Sequence, residues 1–360
     1  MKQAELNHLP LVDAHLDLAE NVTIFGRDLT LPVAEIRAKE QRTMEQATVS
    51  LPDLQRGGIA VAFATVTPGF LITDVGSDFE PKSGIYHTPE EAEMQALKQI
   101  ELYESWDKQG YIRLLKSATD LEHHLQLWQD DRKPGLILLM EGADPIVQIR
   151  DLPRWWNRGL RMIGLTFGDT VYGRGVAGGS STFKKGGLTA KGTALLKAMA
   201  ELGFMWDVSH LTEDGIWQGL DLQPPYVFAS HANVQALTPT DRHLSDNVIR
   251  AIAQRNGVMG MVLYNGFLEP RWKQDKSLVI TLQEHLRRHA DYIAQLVGWK
   301  HVGIGSDLDG GFGLGEIPVE IDTVADLYKI GFAIPGEVRE AVLSTNWLNF
   351  LRASLPKGLP

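Results

Sequence analysis

The sequence contains no cysteine. Disulfides and thiolate ligands are therefore excluded, and any metal must be held by histidine and carboxylate side chains. No apolar run approaches the roughly 20 residues that span a bilayer as a helix. The first ten residues show no basic segment followed by an apolar one, so neither a membrane anchor nor a signal peptide is expected. Positive charge is in short supply too. A formal net charge of -10 argues against nucleic acid or an anionic membrane as partner. The expectation is a soluble, cytoplasmic protein acting on a small molecule, with the oligomeric state left open, a homodimer included. What the chain does have is length and apolar content. Its 360 residues, 44% of them hydrophobic, are enough for a large core, and one barrel domain over 1–360 accommodates them as readily as two domains would.

Eight apolar, strand-like runs begin near residues 11, 59, 136, 160, 204, 226, 257 and 301, and helical stretches separate them. Continuous runs such as Ile59–Val66 suit strands buried on both faces of a parallel sheet. Helices are expected over 33–46, 89–108, 120–129, 245–255 and 282–297, with another starting at Thr189 and one or two more after Pro335. Thr88 with Glu91 forms the capping box of the second. Loops are inserted at about 68–90 and 168–188, the latter Gly-rich and expected to be mobile. Eight strand–helix units predict an α/β fold, a (β/α)8 TIM barrel with extra C-terminal helices. Periodicity does not establish closure, so a doubly wound open sheet is the alternative.

Ligand-type side chains sit at the carboxyl ends of these runs. His15 and Asp17, two residues apart at a strand end, face the same side, although a polar turn also reads this way. Glu141 ends the run at 136, where a charge beside a helix start would look the same. His210 and His231 each follow a serine at the ends of the runs at 204 and 226. Asp307 and Asp309 compete after the last run, and Asp307, nearer the strand, is preferred. In a barrel these ends share the face on which active sites form. His15, Asp17, Glu141, His210, His231 and Asp307 are thus expected to converge, and imidazole with carboxylate suits zinc, manganese or iron. Arg242 and His243 taken singly read as surface cations.

Several segments in order carry more information than any one of them. They are His15-x-Asp17, Glu141-Gly142, Gly186-Gly187-Leu188-Thr189, Asp207-Val208-Ser209-His210, Ala229-Ser230-His231-Ala232-Asn233, Arg242-His243-Leu244-Ser245-Asp246 and Gly303-Ile304-Gly305-Ser306-Asp307-Leu308-Asp309-Gly310. Together they resemble the renal (membrane) dipeptidase family of the amidohydrolase superfamily, from residue 11 to about 351 and most densely over 186–267. The resemblance implies a barrel with two zinc ions, His15 and Asp17 on one, His210 and His231 on the other, and Glu141 bridging them. It implies that Asp307 handles protons and that Arg242 binds the substrate's terminal carboxylate. The implied reaction is hydrolysis of dipeptides, often with a D-residue at the carboxyl end. An amidohydrolase acting on a non-peptide amide or lactone is the alternative, and a non-catalytic binding protein keeping the fold is a further one.

The chemistry agrees with that expectation. Two cations about 3.5–4 Å apart share a water and lower its pKa toward about 7. The hydroxide attacks the carbonyl, Asp307 carries the proton to the leaving amine, and the planar fork of Arg242 matches a carboxylate. One position departs from the family. Where the family has histidine in a Leu-Thr-His context, this chain has Leu165-Thr166-Phe167. Phenylalanine donates no hydrogen bond, and loss of one oxyanion donor costs about a hundred- to a thousandfold in rate. Tyr172 and Arg174 are the candidates to replace it; otherwise the substrate is not an ordinary dipeptide.

Overall fold

All eight apolar runs become strands. In chain order they are β1 (Leu11–Leu16), β2 (Ile59–Val66), β3 (Gly135–Glu141), β4 (Leu160–Gly164), β5 (Met205–Asp207), β6 (Val227–Phe228), β7 (Met259–Met261) and β8 (Val302–Ile304). Every residue in them is buried, as expected where both faces of a parallel sheet are covered and neither can alternate with polar side chains. The structure is a computed structural model, and it describes residue 6 and residues 9–40, 45–71 and 85–358.

Strands β1 to β6 form one parallel ladder in chain order, with the short strand Arg113–Leu114 pairing to the start of β3. β7 pairs with β8, also in parallel. The sheet curls strongly. Phe63 of β2 and Phe228 of β6 are four strands apart in the ladder, which in a flat sheet at about 4.8 Å per strand would be about 19 Å. Their ring centroids are instead 6.0 Å apart. Trp347, from the C-terminal helix Asn346–Ser354, packs against both rings and donates its indole N–H to Ile304 O at 3.0 Å. The result is a mixed α/β fold with a curled parallel sheet, helices outside it and an aromatic plug against the concave face.

The helices begin where their caps stand. Thr88, Ser117, Thr189 and Ser245 accept from backbone N–H groups at the starts of Pro89–Gln109, Ala118–Asp131, Ala190–Leu202 and Asp246–Gln254. One expectation fails. Residues 33–46 do not form one helix, because the helix Val33–Arg37 is capped at Ala38. Glu40 turns inward to accept from Arg27 Nε (2.7 Å) and from the Ala47 N–H (2.9 Å), and these bonds outcompete a further helical turn. Residues 41–44 lie outside the described residues, as do residues 72–84 of the loop expected at 68–90; the ends of that loop, Phe70–Leu71 and Ile85–Tyr86, pair in parallel. The stretch 282–297 opens with a π-helical turn, Leu282–Leu286, before the α-helix Arg287–Val297. Among the described residues no helix is long and apolar enough to cross a membrane.

Candidate metal centre and its surroundings

The carboxyl ends of the strands deliver the expected side chains to one place. His15 Nε2 lies 3.6 Å from Asp17 Oδ1, 3.5 Å from Glu141 Oε1 and 3.9 Å from Asp307 Oδ1. His210 Nε2 and His231 Nε2 are 3.1 and 3.5 Å from the same Glu141 oxygen and 2.8 Å from each other. Three overlapping groups have ligand spacing: His15–His231–Asp307, Glu141–His210–His231 and His15–Asp17–Glu141. Two of these residues leave the strand through the left-handed region, His210 with φ 64° and Asp307 with φ 59°. That conformation is uncommon for a side-chain-bearing residue and is held only where neighbours impose it. For His210 the neighbour is Val176, whose N–H donates to His210 O at 2.7 Å.

The outward ring nitrogens fix which nitrogen faces inward. His210 Nδ1 donates to Val176 O at 2.7 Å, leaving Nε2 with its lone pair toward Glu141. Ser230 Oγ lies 2.7 Å from His231 Nδ1 and 3.3 Å from His15 Nδ1, and it donates its single proton to Asp207. It must therefore accept from the nearer His231 Nδ1–H, which again turns Nε2 inward. Such outer partners set the tautomer and direction of metal-binding imidazoles. Asp207 also accepts the N–H groups of Ser209 and Ser230 at 3.0 and 2.9 Å. On the other side Thr65 Oγ1 donates to Asp17, and Asp13 receives the Ser306 N–H at 2.8 Å and its hydroxyl. Asp207, Ser230 and Val176 carry no role in the sequence reading. The only signal was that Asp207 and Ser230 flank histidines within the quoted motifs.

The buried polar atoms fit divalent cations. His15 Nε2 and Glu141 Oε1 have no hydrogen-bond partner although both are sealed from solvent. Such groups cost about 1–3 kcal/mol each when left unsatisfied. Gly310 keeps the space open: a Cβ there would stand 2.0 Å from Asp307 Oδ1 and 2.9 Å from Asp17 Oδ2. The electrostatics also call for added positive charge. Burial raises the Glu141 carboxyl to about 7, with Asp17 adding to it. Burial likewise lifts Asp307 well above its usual range, with Asp17 and Glu141 reinforcing the effect. Burial opposes the His15 imidazolium, but Glu141, Asp17 and Asp307 outweigh it and hold that group up at about 10. His210 and His231 go the other way, pushed down by burial and by the neighbouring His15 and Arg242 cations, so both are neutral and available as ligands.

Arg242 borders this cluster. Its Nη2 lies 3.1 Å from His210 Nε2 and donates to His231 O at 2.9 Å, whereas Nε and Nη1 are buried and unpartnered. Phe167 packs edge-on against the His210 ring at 5.0 Å. The two candidates to replace its missing donor are engaged elsewhere. Tyr172 donates its hydroxyl to Ile146 O, and Arg174 pairs with Asp169 on the surface. Asp309 also stays out of the cluster. It accepts from the Thr48 and Val49 backbone and the Thr48 hydroxyl, and pairs with Arg27 at 3.2 Å. His243 is buried against Phe267, and His285 accepts the Thr281 N–H at 3.2 Å, so neither belongs to the cluster. In the Gly-rich stretch 173–187, residues 173, 174 and 176 make backbone bonds to residues 170, 212 and 210.

The profile of the membrane dipeptidase family (peptidase family M19) matches residues 2–354. Among curated proteins, an uncharacterized protein encoded in the pqqA 5′ region of Klebsiella pneumoniae is 32% identical over 252 residues, 68% of this chain and 89% of that one. An uncharacterized dipeptidase of Schizosaccharomyces pombe is 24% identical over 310 residues, 84% of this chain and 70% of its own. Among solved structures, a dipeptidase AC described as a metallo peptidase of family M19 superposes with a TM-score of 0.77 at 26% identity, over 97% of this chain and 99% of its own. A metallo peptidase from Rhodobacter sphaeroides, solved with a phosphinate mimic of the dipeptide L-Ala-D-Ala, matches with the same TM-score at 25% identity, over 96% and 99% of the two chains.

Proposed function

The chain belongs to the membrane dipeptidase family of metallopeptidases, and from that premise we propose that it hydrolyses a dipeptide or similar small amide bearing a free terminal carboxylate. His15 and Asp17 would hold one divalent cation, His210 and His231 a second, with Glu141 between them and zinc as the expected metal. When bound, the cations would supply Lewis acidity and lower the pKa of a water at the site. Asp307 is the general base and acid: it takes a proton from the attacking water and returns it to the leaving amine. Burial and its acidic neighbours raise its proton affinity, as that exchange requires. Arg242 offers the substrate carboxylate its cationic guanidinium, whose Nε and Nη1 are buried and left unpartnered. We also read the eight strands as one closed (β/α)8 barrel domain. In support, Ala229 bridges to Met259 at the seam between β6 and β7, and Asp307 N–H donates to His15 O at 3.3 Å between β8 and β1.

The observation that carries the reading is the convergence of His15, Asp17, Glu141, His210 and His231 with buried, unpartnered ligand atoms beside an arginine that keeps two buried N–H donors unpartnered. Phe167 favours a second reading within the same chemistry, hydrolysis of a non-peptide amide or lactone, because it brings no donor toward the scissile carbonyl. The test is a panel of L–L and L–D dipeptides, each free and C-terminally amidated, with zinc-reconstituted protein. Hydrolysis of free dipeptides with at least about a tenfold loss in kcat/KM on amidation is expected, since a charged hydrogen bond contributes about 1.5–3 kcal/mol. No turnover of any dipeptide, with activity on lactones or cyclic amides instead, would transfer the conclusion to the second reading.

A further inference from the structure

A buried guanidinium selects a carboxylate better when it is held in place before the ligand arrives, because fixing an arginine side chain on binding costs rotamer entropy. Part of the fixing of Arg242 comes from a segment far from it in sequence. Asp241, its chain neighbour, accepts the Ser180 N–H on Oδ1 at 2.7 Å and the Lys184 N–H on Oδ2 at 3.2 Å. The Asp241 N–H donates back to Ser180 O at 2.9 Å. Just before these bonds the segment runs close to Arg242 itself. Gly179 has φ 73°, and a Cβ there would stand 2.8 Å from Arg242 Cβ and 3.2 Å from Thr240 Oγ1. Three residues before Gly179, the same loop supplies Val176 O to His210. Its other flank is tied through Lys184 Nζ to Asp169 Oδ1 at 2.5 Å. Beside the latch lies a cavity of about 280 Å³ whose wall includes His210, Arg242, Asp241, Lys184 and Trp217, so there is room for a ligand where the segment, the guanidinium and the imidazole meet.

We propose that Asp241 is a positioning residue that latches segment 179–184 over Arg242 and thereby sets the preference of the site for substrates with a free carboxylate. Asp241 reaches Arg242 through the backbone and Gly179; its own oxygens are committed to the latch. The proposal rests on the reading of Arg242 as the carboxylate ligand. Asp241→Asn keeps one acceptor and Asp241→Ala keeps none, so the two form a graded series, and Gly179→Ala attacks the same contact from the opposite side.

The experiment compares one dipeptide, free and amidated, on zinc-reconstituted wild type, Asp241→Ala, Asp241→Asn, Gly179→Ala and Arg242→Lys, with bound zinc and melting temperature measured on each. For Asp241→Ala the KM of the free dipeptide is expected to rise about tenfold, with kcat, zinc content and the amidated dipeptide nearly unchanged. Asp241→Asn should fall between this variant and wild type, and Gly179→Ala should share the KM effect. A free-to-amidated ratio that drops in Arg242→Lys but not in Asp241→Ala overturns the latch alone. Equal losses on both substrates, or a fall in zinc content, would make Asp241 merely structural and overturn it too. A ratio untouched by Arg242→Lys removes the reading of Arg242, and the latch falls with it.

Discussion

Asp307 and Asp309 stand two residues apart, both with positive φ, in opposite surroundings. Asp309 is saturated with donors from Thr48, Val49 and Arg27, whereas Asp307 faces His15 and two other carboxylates. Asp307→Asn should keep the bound metal and the fold yet lose nearly all turnover, because an amide cannot take and return a proton. Asp309→Asn should instead destabilise the protein by about 3–5 kcal/mol, the usual result of removing one partner of a buried ion pair. Activity, metal content and urea titration of the two variants separate the roles; the reverse pattern would exchange them. At Phe167, Phe167→His should raise dipeptide turnover if a donor is what the site lacks. An unchanged rate would mean that another group already stabilises the oxyanion. His124 gives a pH prediction. Burial holds it down at about 4, from an ordinary 6.5, while it bonds to Ala60 O at 2.8 Å. The unfolded chain therefore takes up the proton first. This group's contribution is complete above pH 6.5 and is lost as the pH falls toward 4, by up to about 3 kcal/mol at about 1.4 kcal/mol per unit. His124→Gln keeps a donor for Ala60 O and should flatten the acid limb of a stability–pH curve over that interval.

Among the elements, the strands position the site, and the C-terminal helix packs against the concave face of their sheet. His15 and Glu141 lie in the last two residues of β1 and β3, and Asp17, His210, His231 and Asp307 follow within three residues of the ends of β1, β5, β6 and β8. The C-terminal helix is less expected. Its Trp347 packs among Phe63, Phe228 and Phe350 and lies so close to β8 that a Cβ on Gly303 would meet the indole at 2.2 Å. Trp347→Ala should cost about 3–5 kcal/mol in a denaturant titration while leaving metal stoichiometry per folded chain unchanged, because its ring partners Phe63, Phe228 and Phe350 are not among the candidate ligands. Loss of metal from the folded variant would show that the plug also sets the spacing of the strand ends. Most of the element pattern was legible in the sequence: apolar runs, caps and helical periodicity are local signals. The failed helix at 33–46 was not, because Glu40 is drawn away by Arg27 and Ala47, contacts that no local pattern reveals.

For the whole molecule, the prediction is two metals per chain, because five ligand-type side chains exceed one tetrahedral site. Elemental analysis after zinc reconstitution should return about two per chain, and one or none would contradict it. Chelation should lower the melting temperature, since cations that bind only the folded chain stabilise it by mass action. The buried carboxylates, raised by burial and by one another, are the groups that would be relieved.

The sequence by itself determined which residues arrive at the site. A strand has a period of two, a buried run has clear ends, and a histidine or carboxylate at such an end has few other places to go. Tertiary structure alone decided what each of those residues became on arrival. The nitrogen that His210 turns inward depends on Val176, 34 residues away. The tautomer of His231 depends on a serine committed to Asp207, 23 residues back. Asp309 is taken out of the cluster by Thr48, 261 residues away, and β1 is tied to the last strand by Asp13 and Ser306, 293 residues apart. Hydrogen bonds act over about 3 Å of space and carry no trace in sequence spacing, so these choices exist only once the chain has folded.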